Sequence, residues 1–295
     1  MKASKILVIG NNGQLCWEIC RQSKERGLDI IPLDFPEIDI TDKADLNKKL
    51  AHYDFDILIN CAAYTAVDKA ETEHELAYAV NRDGPTFLAE ICAEKRIPLI
   101  HVSTDYVFSG NKDGCNMETD LVEPIGVYGK SKAAGDDQVR TILHNHLILR
   151  TSWLYGVHGN NFVKTMINLG REREEVRVVA DQYGCPTFAA DLAEAILDIV
   201  SKYYRGLEIT WGTYHFCGSG STTWHGFALK IFEIARSYDQ FKVERVIPIK
   251  TAEYPTPAER PKNSVMDCSQ LKGCFNINPP LWEDSLNVML RRYYQ

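Results

Sequence analysis

Tyr128 and Lys132 are four residues apart, and Thr104 precedes them in the run Ser103-Thr104-Asp105-Tyr106-Val107-Phe108. On a helix, residues at that spacing share a face, about one turn apart. A lysine ammonium placed there favours the phenolate and lowers the tyrosine pKa from its ordinary value of about 10. A threonine hydroxyl at a neighbouring strand end can bind the same carbonyl oxygen. Together they make a proton donor, its tuner and an oxygen clamp, the parts needed to reduce a carbonyl. Tyr-x-x-x-Lys by itself also suits a solvated helix face. The chemistry therefore turns on whether the chain builds a site for a hydride-donating cofactor.

The elements that must position these residues are legible nearby. Ile97-Pro98-Leu99-Ile100-His101-Val102 is a short apolar run, read as a buried strand. Thr104 and Asp105 then fall at its C-terminal end, where open α/β sheets place their ligands. Gly110 to Gly126 lacks periodicity and reads as a loop. A helix is expected from Tyr128 through Ala133, Ala134 and Val139 towards Leu143.

Earlier in the chain, Lys5 to Ile9 is β-branched-rich, the pattern of a buried parallel strand. Gly10-Asn11-Asn12-Gly13-Gln14-Leu15-Cys16 follows, then an amphipathic stretch to Arg26. That is strand, glycine turn, helix, an arrangement that lets backbone amides approach a pyrophosphate. Leu28 to Asp34 is a second strand. Asp34 lies about twenty residues after the turn, where an acid can bind ribose hydroxyls and repel a 2′-phosphate, which leans towards NAD(H); a solvated loop acid is the plain alternative. Thr41 is the expected N-cap of the next helix. Asp56 to Asn60 is a third strand, and Cys61-Ala62-Ala63-Tyr64-Thr65 leaves its end with small residues that can lie under a dinucleotide. Glu71 to Arg96 carries one long helical pattern.

His146 to Arg150 is a further strand, with Trp153 just beyond it as a ring platform or a core filler. Gly159-Asn160-Asn161-Phe162-Val163-Lys164 starts a helix, Val176 to Asp181 is a strand, and Pro186 to Val200 is turn then helix. The texture changes from about Trp211. Tyr214 to Cys217 is a short strand, Ser221 to Trp224 caps a helix to Ser237, and Val243 to Ile249 is a strand. Thr251 to Pro261, with Pro255 and Pro257, is a stiff loop holding Arg260, and Trp282 to Arg292 is a closing helix. Alternating strands and helices predict an α/β fold with a Rossmann-like doubly wound parallel sheet and a smaller C-terminal α/β lobe. The expected division is 1–155, with strands also contributed from about 175–205, and 156–295.

Composition narrows the class. The 295 residues are 45% hydrophobic and 25% charged, ordinary values for a globular chain with a sizeable core. A net charge of −7 without a Lys/Arg-rich block argues against nucleic acid. No apolar run approaches the ~20 residues of a membrane span, and Met1 to Lys5 runs straight into a strand with no signal peptide. Nine scattered cysteines without Cys-x-x-Cys read as reduced thiols of a cytoplasmic protein. The histidines show no metal spacing, so no residue is assigned to a metal.

As a set, the Gly-x-x-Gly turn, the Thr after the fourth strand and Tyr-x-x-x-Lys resemble the extended short-chain dehydrogenase/reductase family. Ala66 to Glu71, Ser103 to Phe108, Val127 to Lys130, Arg150 to Trp153, Gly159 to Met166 and Tyr254 to Pro261 are similar to the dTDP-4-dehydrorhamnose reductases within it. The resemblance implies reduction of the 4-keto group of a dTDP-sugar to dTDP-L-rhamnose, a precursor of cell-wall polysaccharide, with NADPH or NADH. It implies that Tyr128 gives the proton, Lys132 tunes it and holds the nicotinamide ribose, and Thr104 polarises the carbonyl. Gly10, Asn11, Asn12, Gly13, Gln14, Leu15, Asp34, Asp39, Ile40, Ala62, Ala63, Tyr64, Thr65 and Val102, with Tyr128 and Lys132, would bind the cofactor. Thr104, Asp105, Tyr106, Trp153, Asn161 and Arg260 would bind the substrate, and 156–295 would be mainly the nucleotide-sugar lobe. The family's third glycine is Cys16 here, whose side chain is expected to press the helix away from the sheet. The family's Mg²⁺, held by acids at a dimer contact, finds no matching acids, which leaves metal and homodimer open.

Three relatives of the same fold are rivals. Nucleotide-sugar dehydratases carry Thr-Asp-Glu after this strand, but Tyr106 stands in the place of that Glu. Epimerases need no such Glu, yet Thr-Asp-Tyr-Val-Phe points away from them. A non-catalytic protein resembling the regulatory subunit of methionine adenosyltransferase keeps Tyr-x-x-x-Lys but differs from Arg-Thr-Ser-Trp.

Overall fold

A computed structural model describes residues 5–295; the reading of Met1 to Ser4 lies outside the described residues. Strand and helix alternate from the start: β1 (Lys5–Ile9), α1 (Gln14–Arg26), β2 (Asp29–Leu33), α2 (Lys43–Leu50), β3 (Ile57–Asn60), α3 (Val67–Ala70), α4 (His74–Tyr78), α5 (Gly84–Lys95), β4 (Leu99–Thr104), α6 (Val127–Ile142) and β5 (His146–Thr151). Then come β6 (Leu154–Tyr155), α7 (Phe162–Glu172), β7 (Glu175–Val179), β8 (Tyr183–Gly184), β9 (Thr187–Phe188), α8 (Ala189–Tyr204), β10 (Gly212–His215), β11 (Thr222–Thr223), α9 (Trp224–Ala235), β12 (Arg245–Ile249), α10 (Ser269–Phe275) and α11 (Trp282–Tyr294).

The central sheet has six strands in the order β10-β5-β4-β3-β1-β2, every pair parallel. The period-2 alternation of a strand sends neighbouring side chains to opposite faces. Ile6, Val8, Ile57 and Ile59 pack with Leu15 and Ile19 of α1 and Leu192 and Ile196 of α8. Leu7, Ile9 and Leu58 pack on the other face with Leu46, Leu88 and Val139 of α2, α5 and α6. Burying each such aliphatic side chain contributes about 1.5–3 kcal/mol. A second core joins α7, α9 and α11 to β7 through Val163, Val176, Ile231 and Leu286.

Four expectations are corrected. No strand from 175–205 enters the central sheet: β7 pairs with β12, and it is α8 that packs against α1. The sheet's last strand is instead β10, so the strand expected near Tyr214 belongs to it and not to the C-terminal lobe. The helix of 43–50 is capped by Asp42, whose carboxylate accepts from the amides of Ala44 and Asp45. Thr41 donates its hydroxyl to Asp39 instead.

The single helix expected over Glu71 to Arg96 is broken. A wide π turn covers Ala79–Asp83 between α4 and α5. Pro85 has no N–H for the Asn81 carbonyl four residues back, so the regular ladder cannot continue there. The freed region faces Gly135 of α6, where a Cβ would stand 2.1 Å from the Asn81 carbonyl oxygen. The short α10 carries Gly273 within seven residues and shows too little periodicity to be read ahead.

Gly135→Ala should therefore force α6 from the π turn and destabilise the protein by about 1–3 kcal/mol, as overpacking does. Urea unfolding of both proteins checks this; an unchanged midpoint would show that the contact relaxes freely.

Candidate active site

The turn after β1 is built for close approach. Gly10 has a φ of 103°, and a Cβ there would lie 2.7 Å from the Ala62 nitrogen. The strand order reverses at β1, which is flanked by β2 and β3, and such points open a crevice beyond the strand ends. Gly13 caps α1 without a side-chain hydrogen bond, leaving first-turn amides and the positive end of the helix dipole towards the crevice. Asp34 ties the crevice together: one carboxylate oxygen accepts from the Asn12 amide at 2.7 Å and the other from the Phe35 amide at 2.8 Å. A cleft of about 780 Å³ runs from this turn to Thr104, Tyr128, Lys132 and Trp153. That volume suits a small-molecule or cofactor site.

At the inner end, Thr104 closes β4 and its hydroxyl donates to Asp105 at 3.0 Å while accepting from the Tyr106 amide at 3.2 Å. Burial pushes the Asp105 carboxyl up to about 6, with the Ser264 and Thr104 hydroxyls pulling the other way. Tyr128 lies in the first turn of α6, its ring edge-on to Tyr106 with centroids 5.5 Å apart. Lys132, one turn on, donates to the Val102 carbonyl at 2.7 Å and lies 3.3 Å from His101 Nε2.

The expected lowering of the Tyr128 pKa by Lys132 does not hold. Burial pushes the phenol up to about 12, with the Thr104 hydroxyl pulling the other way and Asp105 and Asp136 adding to the rise. Lys132 turns its ammonium to the β4 backbone, and burial draws it down to about 8. Desolvation outweighs the pairing because both groups are almost wholly buried.

Of the expected cofactor residues, Gly10, Asn12, Gly13, Gln14, Leu15, Asp34, Asp39, Ile40, Ala62, Ala63, Thr65 and Val102 line the cleft with Tyr128 and Lys132. Asn11 is exposed outside the cleft wall. Tyr64 points its hydroxyl to Glu73 at 2.5 Å. Of the substrate residues, Thr104, Asp105, Tyr106 and Trp153 are brought together there. Asn161 is not among them: it caps α7 by accepting from the Lys164 amide, and its side-chain amide donates to Gln14 and to the Gly156 carbonyl. Arg260 is spent on Asp68, bonded at 3.2 and 3.0 Å. Cys16 is buried in the core between α1 and the sheet, its sulfur 4.0 Å from that of Cys20, and it also lines the cleft.

Sequence reasoning missed the polar cluster behind Lys132. Asp136, fully buried, accepts from Ser103 at 2.9 Å and from Arg150 at 3.4 Å. Asn60 fixes His101, its Oδ1 accepting from the Ala62 amide while its Nδ2 faces His101 Nδ1 at 3.1 Å. Burial holds His101 well below the ordinary histidine range, so it is neutral. A histidine inside the apolar run of β4, and an acid four residues after Lys132, were the available signals. Among the described residues, no group of three or more His, Cys, Asp or Glu side chains converges to hold a metal ion.

Comparison with known proteins places this geometry in context. A family model described as the RmlD substrate binding domain matches residues 4–295. The chain is 41% identical over 285 residues to dTDP-4-dehydrorhamnose reductase of Aggregatibacter actinomycetemcomitans, covering 96% of this chain and 97% of that one. It is 37% identical to the Escherichia coli K12 protein of the same name, covering 98% of each chain. The crystal structure of dTDP-4-dehydrorhamnose reductase from Bacillus anthracis in complex with NADP is similar with a TM-score of 0.91 at 39% identity, covering 98% of this chain and 99% of that one.

Asp105 generates a stability test. A carboxyl whose pKa rises on folding binds more protons in the native state, so it favours the fold at acid pH and disfavours it once ionised. Between about pH 4 and 6 the protein should lose stability relative to Asp105→Asn, with no further change above. Melting temperatures of both proteins across pH 4–8 read this; a constant difference would mean that Asp105 is not strained by burial.

Proposed function

The chain belongs to the dTDP-4-dehydrorhamnose reductase family, and on that premise we propose that it reduces the 4-keto group of dTDP-4-dehydro-6-deoxy-L-mannose to dTDP-L-rhamnose with NADPH or NADH. The observation that carries this is one cleft joining the Gly10–Gly13 turn to Thr104, Tyr128 and Lys132. The close backbone approach at Gly10 and the uncapped start of α1 fit a dinucleotide. When bound, that cofactor supplies the hydride.

What the chain's own residues do follows from their burial. Tyr128, with its phenol pushed up to about 12, holds its proton at neutral pH and presents it at Oη to the oxygen that gains charge. Thr104, next to it at the end of β4, turns its one hydroxyl proton from Asp105 to the same oxygen when substrate binds. Lys132 brings a buried cation one turn from the phenol, where it offsets the phenolate left after proton transfer. Thr104, Asp105 and Lys132 are each at most 5% exposed, so the reacting end of the cleft is poorly hydrated. Tyr106 packs against Tyr128 as a ring and brings no carboxylate for elimination, which disfavours the dehydratase reading. We assign the core of α7, α9 and α11 with the β7–β12 pair to the lobe that receives the nucleotide sugar. A cytoplasmic setting fits this biosynthetic role, and among the described residues no helix is long and apolar enough to cross a membrane.

Tyr128→Phe should lower kcat by about 10²–10⁴-fold, the usual worth of general acid catalysis, with dinucleotide binding retained. Turnover assays with the enzymatically made keto-sugar, beside cofactor titration, check it; near wild-type kcat removes Tyr128 from the role.

The pH profile tests Lys132. Its lowered pKa means that the ammonium is lost from about pH 8 upward, so kcat/KM should fall above that pH. A profile flat to pH 10 would show that the charge is not needed.

Asp34→Ala should weaken NADH more than NADPH, because the carboxylate that can bind ribose hydroxyls also repels a 2′-phosphate. Equal losses in paired titrations would show that Asp34 serves the turn alone.

A further inference from the structure

Trp153 is held in an unusual way. Its φ is 47°, the left-handed region, which a bulky side chain occupies only when its surroundings impose it. Its carbonyl accepts from the Thr187 amide at 3.2 Å, which anchors the backbone but does not aim the ring. Two other features aim it. The indole of Trp224 lies on the Trp153 ring with centroids 3.6 Å apart and planes within 10°. Gly184 lies against the ring, where a Cβ would stand 2.4 Å from Trp153 Cε2.

Both features come from one small ladder. β8 and β11 pair antiparallel, with Thr222 opposite Gly184 and Thr223 opposite Tyr183. Thr223 also caps α9 by accepting from the Gly226 amide at 3.0 Å, so Trp224 starts the helix at a fixed point. Phe162 of α7 backs Trp224 with ring centroids 4.7 Å apart. Trp153 lines the cleft, whereas Trp224 and Gly184 do not.

We propose that Trp224 is a positioning residue: stacked on Trp153, with Gly184 against the same ring, it holds that indole in the cleft as the wall that receives the sugar of the nucleotide-sugar substrate. The inference rests on the reductase reading above. An indole with one face covered by a second indole cannot turn freely, so the wall is set before the sugar arrives and little ordering is left to the binding step. The ladder of β8 and β11 thereby links the start of α9 to substrate affinity with no contact between α9 and the cleft.

The test uses the whole protein with the keto-sugar and NADH, comparing Trp153→Ala, Trp224→Ala, both together, and Trp224→Phe. Trp224→Ala should raise the sugar KM about two- to twelvefold, the span of aromatic-pair energies, and leave NADH affinity unchanged. The double variant should be no worse than Trp153→Ala alone, because Trp224 acts through Trp153. Trp224→Phe, which keeps a stacking ring, should recover most of the affinity. The circular-dichroism couplet of the stacked indoles should vanish in either alanine variant. A raised KM in Trp153→Ala beside an unchanged KM in Trp224→Ala would overturn the inference and leave the reductase reading intact, as would strictly additive effects. An unchanged KM in Trp153→Ala would overturn it too, whereas absent turnover in the unaltered protein would sink the reductase reading itself.

Discussion

The reacting end of the cleft depends on how closely α6 can approach its neighbours. Two glycines on that helix make the approach possible. At Gly129 a Cβ would stand 2.2 Å from the Tyr106 carbonyl oxygen, and at Gly135 it would stand 2.1 Å from that of Asn81. Backbone against backbone at both points brings Tyr128 up to Thr104 and drives Lys132 under β4. Ser131 completes the contact, receiving a hydrogen bond from Asn81 at 3.0 Å. Larger residues at either glycine would move proton donor and cation together.

Close approach buries these side chains, and their desolvation sets the chemistry. Three groups shift towards their neutral forms for the same reason: Asp105 and Tyr128 upward, Lys132 downward. For a reductase this is a consistent set, since the phenol must still carry its proton when the carbonyl oxygen gains charge. Lys132 keeps its charge at neutral pH in part because Asp136 lies behind it and raises its pKa. Asp136 is itself shared with Arg150 and Ser103. Removing one member of such a buried set commonly costs about 3–5 kcal/mol, since the remaining charge is left unpaired.

The second lobe reaches the cleft by contacts that span the chain. Arg260 of the proline-bearing loop bonds Asp68 at the head of the α3 region, 192 residues away in sequence. The same carboxylate accepts from the Ala258 amide at 3.3 Å, so the loop is tied by backbone as well as side chain. Gln14 of the glycine-turn helix accepts from Asn161 at 3.0 Å, joining α1 to the start of α7. These ties hold the cofactor end and the lobe in one arrangement, and they use residues that the family resemblance would have given to a ligand.

The sequence by itself determined what is local. Alternation of apolar residues set the strands, the glycine turn after Ile9 set the crevice, and the four-residue spacing of Tyr128 and Lys132 put them on one face of a helix. These follow from periods of two and 3.6 residues and from the backbone freedom of Gly10, which operate over a few positions. Tertiary structure alone decided the partners and the solvent. It gave Arg260 to Asp68 and Asn161 to Gln14, set β10 beside β5, laid Trp224 on Trp153, and reversed the expected direction of the Tyr128 pKa. The reason is physical: a charge or ring finds its partner among segments brought together from 50 to nearly 200 residues apart, and burial, which no local spacing records, fixes what that partner is worth.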